Sequence, residues 1–413
     1  MKQVNLKLLG GLLLVVGLCL LLALGGMWVK KIAEPDVTEM AWVEKEIPMA
    51  ELSEVTISGM DVTADGDIYV SVQEDTGTQL AYKAVIIGEV YRVHDGKWES
   101  TGVIRSFHSP LIGNVGGGDM IVAYRGPWQI EGWRDGATVW ERRWERGGYS
   151  NILVDAVAED WEHLFVLEAV GVENETSWEM RVWRAQGEDW EVVLGADGEE
   201  LVVDGVMRGE WPMLVAGPTA ESFYLVWLAA GEGGKTLEIA YWEDGVWQDA
   251  GIPQALMAAR GRNEKSELLV QGVGDSLYVG WVEKSRGDML VSMYVRQEGV
   301  WELLGEEPFV SVDRGEGWLH DDVGMNVDEA GNVYVAWSFA QDHVEVVQWD
   351  GEYWQSLVTL PQEQFQSKRN YRIEDIGVTT VGESVCVIMG GVRETTAEDV
   401  AVGAEVQAEL AER

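Results

Sequence analysis

Arginine recurs in the segments that separate successive repeats of this chain, and tryptophan, histidine and aspartate accompany it there. A guanidinium can bind a carboxylate through two parallel hydrogen bonds, and an aromatic ring can stack on a sugar. We therefore expect these segments to bind a carboxylate or an acidic sugar, unless each arginine instead pairs with a nearby acid. The candidate ligand-binding residues are Arg208, Trp211, Arg262, Arg314, Trp318, His320, Asp321 and Arg372.

Residues 315–324, GEGWLHDDVG, hold the densest mixture of an aromatic ring, an imidazole and carboxylates. A second carboxylate nearby can raise the pKa of an aspartate and make it an acid catalyst. Asp321 and Asp322 are adjacent, however, and adjacent residues of a strand point to opposite faces. The segment therefore offers no obvious catalytic pair and equally fits a solvated loop, and the catalytic residues, if any, are unknown.

Metal and cofactor chemistry finds little support in the sequence. The five histidines are scattered without the short spacings of a zinc site, and no DxDxDG calcium loop is present. The two cysteines, Cys19 and Cys386, cannot form a disulfide framework. We expect no metal site and no cofactor.

The overall charge of the chain limits the classes of partner that it can be expected to bind. Acidic residues outnumber Lys and Arg by 71 to 30, so the formal net charge is −41. Nucleic-acid affinity depends on neutralising phosphates with basic side chains, so a nucleic acid is not an expected partner. The hydrophobic content of 46% is typical of a globular protein rather than a disordered one.

The N-terminus contains an uncharged apolar segment, residues 8–29. As a helix these 22 residues would extend about 33 Å, which matches a bilayer core. We predict a transmembrane anchor in residues 1–29, a linker in 30–38, and a single-pass cell-membrane protein whose body is extracytoplasmic. The alternative is a cleaved signal peptide and a secreted body.

Two repeated patterns predict the fold. In the first, a turn of small residues leads into an apolar run, as expected for a hairpin that feeds a buried strand. The central residues of these seven runs are Tyr69, Ile121, Phe165, Tyr224, Tyr278, Tyr334 and Cys386. In the second, a strand meets a glycine turn and then a tryptophan, about 51 residues apart on average. These structural repeat positions are Trp98, Trp140, Trp190, Trp247, Trp301 and Trp354.

A unit of this length with two turns predicts a four-stranded antiparallel sheet, and such sheets around an axis form a β-propeller. The chain is therefore expected to be all-β, with seven blades, or six as the alternative. The last unit lacks the tryptophan element, and residues 39–48, EMAWVEKEIP, could supply its outer strand. We assign residues 39–393 to the propeller. Residues 394–413 form an acidic tail that we expect to be mobile, although VAVGAEV could add a strand.

The strand, Asp-Gly turn and tryptophan element resembles the Asp-box of sialidase-like and BNR-repeat propellers, Ser-x-Asp-x-Gly-x-x-Trp, without its serine. The resemblance implies a propeller fold. A sialidase of that family would also need three arginines on a carboxylate, a Tyr/Glu nucleophile pair and an Asp acid. Tyr371-Arg372-Ile373 is similar to the family's Phe/Tyr-Arg-Ile-Pro motif, with Glu374 in place of the proline.

These observations predict a membrane-anchored, non-catalytic propeller that binds or scaffolds a protein or glycan, in which residues 8–29 contact the membrane. One alternative is a sialidase-like glycoside hydrolase. Another is an accessory subunit of a membrane or envelope complex, and an exposed apolar patch on the flank of the propeller would favour it.

Overall fold

The computed structural model describes most of the chain from residue 40 to residue 411. The described side chains are most complete between residues 151 and 358. The residues outside the description are 1–39, 48–54, 63–67, 81–82, 95–96, 107–110, 116–118, 125–128, 135–136, 144–150, 159–162, 172–177, 187–188, 195–211, 232–233, 254–255, 257–264, 285–287, 306–309, 314–322, 340–342, 362–370, 382–383, 394–403 and 412–413.

The described chain consists almost entirely of β-strands, as the repeats predict. In chain order the strands are β1 (Met40–Ile47), β2 (Val55–Val62), β3 (Ile68–Leu80), β4 (Lys83–His94), β5 (Lys97–Ser106), β6 (Leu111–Val115), β7 (Asp119–Tyr124), β8 (Gln129–Arg134), β9 (Ala137–Arg143), β10 (Asn151–Ala158), β11 (Leu164–Gly171), β12 (Trp178–Gln186), β13 (Asp189–Val192), β14 (Met213–Ala216), β15 (Phe223–Gly231), β16 (Gly234–Glu243), β17 (Val246–Asp249), β18 (Lys265–Val273), β19 (Ser276–Lys284), β20 (Asp288–Gln297), β21 (Val300–Leu303), β22 (Val310–Asp313), β23 (Val323–Val327), β24 (Val333–Phe339), β25 (His343–Trp349), β26 (Trp354–Pro361), β27 (Tyr371–Val381), β28 (Ser384–Arg393) and β29 (Ala404–Ala411).

These strands form antiparallel sheets, each with its strands in chain order except the last. We name them sheet I (β2–β5), sheet II (β6–β9), sheet III (β10–β13), sheet IV (β14–β17), sheet V (β18–β21, with β22 paired to β20), sheet VI (β23–β26) and sheet VII, whose order is β27, β28, β29, β1.

The first strands of the sheets surround a common axis. Each contacts the first strand of the next sheet, from β2 through β6, β10, β14, β18 and β23 to β27, and β27 contacts β2 again. This closed circuit of sheets is the arrangement of a β-propeller. The predicted all-β propeller fold is therefore confirmed.

Sheet VII joins the two ends of the described chain. As predicted for residues 39–48, β1 is the outermost strand of the sheet that contains β27 and β28. The acidic tail contributes β29, which lies between β28 and β1 and includes the end of the segment VAVGAEV, for which an added strand was the alternative. β1 pairs with β29 from Met40 opposite Ala411 to Ile47 opposite Ala404.

The second strand of each sheet is the most buried. Residues 223–226 of β15, 277–282 of β19 and 333–338 of β24 are all buried, because each sheet packs between two neighbours. Six of the residues predicted to be central to buried runs have at most 5% of their surface exposed, namely Tyr69, Phe165, Tyr224, Tyr278, Tyr334 and Cys386. Their burial is confirmed.

Two of the turns before the fourth strands contain the glycine that the second repeated pattern predicts. Asp244 and Gly245, between β16 and β17, have φ values of 51° and 79°. Glu298 and Gly299, between β20 and β21, have φ values of 48° and 81°. Positive φ at both central residues is the type I′ hairpin turn, whose twist matches that of the strands it joins. Each turn is therefore set by an acid followed by glycine.

No membrane-spanning helix occurs in the part of the chain that the structure describes. The apolar segment 8–29, predicted to be an anchor, and the linker 30–38 lie outside that part.

Candidate functional site

The residues predicted to bind a ligand are attached to the starts of the inner strands. The segments that carry Arg208, Arg262 and Arg314 end where β14, β18 and β23 begin, respectively. Arg372 is the second residue of β27 and is paired with Val392 of β28. The other candidates lie outside the described residues, namely Arg208, Trp211, Arg262, Arg314, Trp318, His320 and Asp321.

The inner strands that carry these segments are joined by side chains. Gln271 of β18 accepts a hydrogen bond from the Val327 amide at 2.8 Å and donates to the Val327 carbonyl at 3.1 Å. Its side-chain amide also lies 3.4 Å from Oδ1 of Asn326. Asn326 in turn donates to Oγ1 of Thr380 on β27 at 3.2 Å. Hydrogen bonds therefore connect the first strands of sheets V, VI and VII.

A carboxylate makes the equivalent connection between sheets III and IV. Asp155 lies in β10 beside a bulge between Leu153 and Asp155. Its Oδ2 accepts a hydrogen bond from the Leu214 amide of β14 at 2.8 Å, and its Oδ1 accepts one from the Ala156 amide at 2.9 Å. The bulge inserts one extra residue, which turns the carboxylate toward the neighbouring strand.

These polar residues of the inner strands are not among the predicted ligand-binding residues. Gln271 and Asn326 are each paired with the central aromatic residue of the next strand, Tyr278 and Tyr334 respectively. The sequence signal that could have identified them is a polar side chain that recurs at this position within otherwise apolar strands. We call the first strands of the sheets the inner wall. The hydrogen bonds of Gln271 and Asn326 hold neighbouring strands of this wall together, so it forms a fixed frame for the segments attached to it.

The central aromatic residues reach from one sheet to the next. The Arg296 guanidinium of sheet V donates to the Tyr224 hydroxyl of sheet IV at 3.1 Å and lies 5.8 Å from the ring centroids of both Tyr224 and Tyr241. Its Nε also donates to the Ala250 carbonyl at 3.2 Å. Burial raises the pKa of Tyr224, although the Arg296 charge opposes the shift. Burial also raises the pKa of Tyr241, to about 12. Arg296 thus serves the contact between sheets rather than a ligand.

The turn before β24 contains a second polar network. Asp328 accepts hydrogen bonds from the Ala330 and Asn332 amides, both at 2.9 Å, and from the Tyr334 hydroxyl at 3.2 Å. Gln348, of which 2% is exposed, donates to that hydroxyl at 3.2 Å. The Asp328 carboxylate is already bound by these donors, so its contacts stabilise the backbone of the turn.

Sheets III and IV also share a charged cluster at their turns. Glu221, before β15, forms ion pairs through Oε1 with His163, at 3.1 Å, and with Arg184 of β12. These side chains are between a quarter and two fifths exposed, so the pairs are accessible to solvent. Exposed pairs of this kind contribute little to stability.

The repeat tryptophans begin or occupy the fourth strands. Trp301 of β21 donates through Nε1 to the Ala250 and Gly251 carbonyls of sheet IV at 3.3 and 3.2 Å. Trp354 of β26 donates to the Leu304 carbonyl of sheet V at 2.8 Å. Trp190 and Trp247 are also partly buried on fourth strands. Trp98 and Trp140 lie in β5 and β9, and their side chains are outside the description.

Within the described residues, His, Cys, Asp and Glu side chains form no group of three or more that could hold a metal ion. His320, Asp321 and Asp322 lie outside the described residues.

Comparisons with known proteins return structures only. No protein-family model matches the chain, and no curated protein matches it. One similar structure is Kuenenia stuttgartiensis hydrazine synthase, at 11% identity and a TM-score of 0.45, covering 89% of this chain and 100% of that one. AofleA from Arthrobotrys oligospora has 14% identity and a TM-score of 0.43, covering 78% and 92%. The Nup133 β-propeller domain of Vanderwaltozyma polyspora has 8% identity and a TM-score of 0.43, covering 91% and 99%. Likeness at this level carries no conclusion about activity.

Proposed function

We propose that the chain is a non-catalytic binding or scaffold protein, anchored in the membrane by residues 8–29 with its propeller on the extracytoplasmic side. The seven sheets act as the blades of one rigid ring. The segments before β14, β18 and β23 and the start of β27 carry the binding residues and present them to a protein or glycan that bears a carboxylate.

The observation that supports this proposal is the cross-linked inner wall. Gln271, Asn326 and Asp155 bind the first strands of neighbouring sheets to one another, and the candidate segments are attached directly to these strands. A loop on a fixed frame loses less conformational entropy on binding than a loop on a flexible one. The wall therefore suits a protein that holds a partner at a defined position.

Substitution of three candidate arginines, Arg208, Arg262 and Arg314, tests the proposal. We expect the full-length protein in detergent to bind carboxylated glycans on an array, and the Arg208→Ala, Arg262→Ala and Arg314→Ala variants each to lose about tenfold in affinity. Arg181→Ala is the control, because this arginine lies on β12 and pairs with Glu179. Unchanged binding by all three variants would refute the assigned site.

The same protein preparation also distinguishes binding from catalysis. A binding module leaves its ligand intact, so we expect no release of the fluorophore from a fluorogenic sialoside or from other glycosides. Turnover that disappears in Arg262→Ala but persists in Arg181→Ala would replace the proposal with the sialidase-like alternative.

A further inference from the structure

The large hydrophobic side chains that are exposed in the described part of the chain lie on or near the outer strands of their sheets. Leu194, Val246, Val300 and Tyr353 have exposed fractions of 41%, 42%, 60% and 56%. Val246 and Val300 lie on the outer strands of sheets IV and V, and Tyr353 directly precedes the outer strand of sheet VI. Leu194 lies two residues beyond the outer strand of sheet III. Scattered exposed hydrophobic residues are ordinary, but exposure that recurs at one position of a repeat is not scatter.

Three of these residues occupy the same position in their repeats. Val246, Val300 and Tyr353 each precede a repeat tryptophan, and we call these three residues the outer row. Alternation along a strand turns the tryptophan toward the neighbouring sheet and the residue before it toward solvent. The exposed Val246 and Val300 beside the partly buried Trp247 and Trp301 show this pattern.

The outer row lies on neighbouring strands of one flank. The hydrogen bonds from Trp301 to Ala250 and from Trp354 to Leu304 connect the fourth strands of sheets IV, V and VI. Among the described strands, β17 and β21 each pair with a single neighbour. Their outer edges therefore carry backbone groups that can pair with another extended chain.

The segments that hold the outer row carry only negative charge, and the adjacent Arg296 is already bonded to Ala250 and Tyr224. Residues 243–249, 297–303 and 350–356 contain no Lys, Arg or His. The exposed acids on these segments are Asp244, Asp249, Glu298, Glu302, Asp350 and Glu352. A second copy of this chain, at a net charge of −41, would be repelled, and so would an anionic membrane surface.

We propose that the outer row docks an extended basic segment of a partner protein. Apolar side chains of that segment contact Val246, Val300 and Tyr353, and its Lys or Arg side chains pair with the flanking acids. The proposal rests on the scaffold function and adds a second surface to it, distinct from the candidate arginines. It also supplies a specific reason to consider the accessory-subunit alternative.

Two synthetic peptides of equal charge test the surface on the full-length protein. One alternates lysine with valine and the other alternates lysine with serine. We expect the lysine–valine peptide to bind at least about tenfold more tightly, because only it buries apolar surface against the outer row. Equal affinity for the two peptides would mean that charge alone attracts them, and the proposal would be overturned.

Variants locate that preference on the protein. The triple variant Val246→Ser, Val300→Ser, Tyr353→Ser should bind both peptides equally, whereas the matched control Gln248→Ser, Gln297→Ser should keep the preference for valine. All five side chains are exposed, so we expect little loss of stability, which melting curves can check. A triple variant that retains the preference contradicts the proposal even if the wild type shows it.

A photo-crosslinker in place of Val300 examines the surface in cells. We expect a discrete adduct with a basic protein, and none from the same crosslinker in place of the exposed Asp275. Identical adducts at both positions would count against a site at the outer row. The Arg208, Arg262 and Arg314 variants should leave this adduct unchanged. If the adduct forms while glycan binding fails, the error lies in the proposed site at the inner strands and not in the outer row.

Discussion

The side chain of Gln271 binds the backbone of Val327 as a neighbouring strand would. Its Oε1 accepts from the Val327 amide at 2.8 Å and its Nε2 donates to the Val327 carbonyl at 3.1 Å. Both backbone groups of one residue are thus satisfied by one side chain from the adjacent sheet. Gln271 therefore connects sheets V and VI through the pair of hydrogen bonds that a neighbouring strand would form.

Replacing Gln271 should show how much this contact contributes to the free energy of unfolding. Gln271→Leu has nearly the same shape but leaves the Val327 amide and carbonyl without their partner. We expect the free energy of unfolding to fall by about 1–3 kcal/mol, measured by urea unfolding with tryptophan fluorescence. Gln248→Leu, at an exposed position of β17, should change it by less than about 0.5 kcal/mol. Equal effects of the two substitutions would show that the Gln271 contact is not stabilising.

The indole hydrogen bonds between sheets give a second prediction. Trp301→Phe and Trp354→Phe remove the donors to the Ala250 and Leu304 carbonyls, and each should cost about 1 kcal/mol of unfolding free energy or more. Trp247→Phe is the matched control, since its buried Nε1 has no hydrogen-bond partner. Removing an unsatisfied donor should be neutral or stabilising. Calorimetry of the three variants separates the two cases, and a loss at Trp247 as large as at Trp354 would contradict the explanation.

Gly305 should tolerate a methyl group much less well than Gly351. Both have positive φ, 84° and 97°. A Cβ at Gly305 would lie 2.9 Å from Cδ1 of Trp354, whereas at Gly351 nothing lies within 4 Å. Gly351→Ala should therefore cost only the backbone penalty of about 1–2 kcal/mol, and Gly305→Ala distinctly more. Melting temperatures rank the two variants, and the reverse order would show that Trp354 moves aside freely.

Tyrosine ionisation should make the protein sensitive to alkali. The pKa of Tyr241 is about 12 in the folded protein, above its ordinary value of 10, because of burial first and the Glu243 carboxylate after it. The folded state therefore retains a proton that the unfolded state loses. The resulting stabilisation is complete below pH 10 and is lost as the pH rises toward 12.

Phenolate absorbance follows this titration directly. Tyr241→Phe should remove a late step in the absorbance curve and flatten the decline of stability between pH 10 and 12. Gln248→Leu supplies the control, since it removes no ionisable group and should leave that late step in place. A late step that survives in Tyr241→Phe would assign it to another residue, such as Tyr224 or Tyr278, whose pKa values burial also raises.

The fold was predictable from local signals that repeat. The central residue of each second strand and the repeat tryptophans in the fourth strands of sheets I to VI predict the sheets. Glycine after Asp244 or Glu298 predicts a turn with positive φ, because glycine carries no Cβ penalty there. The segment EMAWVEKEIP, which contains Trp42, predicts β1 because the last unit otherwise lacks an outer strand.

Contacts between sheets were not predictable in the same way. The bond from Gln271 to Val327 joins residues 56 positions apart, and it depends on the angle between two sheets rather than on any local pattern. The pairing of β22 with β20 and of β29 with β28 likewise follows from which edges the ring leaves open. The candidate ligand-binding arginines remain a prediction, because the sequence places them only at or before the starts of the inner strands.

The pairing of β1 with β29 also constrains the order of folding. Met40 lies opposite Ala411, so the contact spans nearly the whole chain, and sheet VII contains the first and last strands described. During synthesis β1 emerges first and has no sheet partner until β29 has been made. Contacts so distant in sequence form slowly. Sheet VII is therefore completed only after translation has passed β29, and until then β1 has no strand to pair with in the nascent chain.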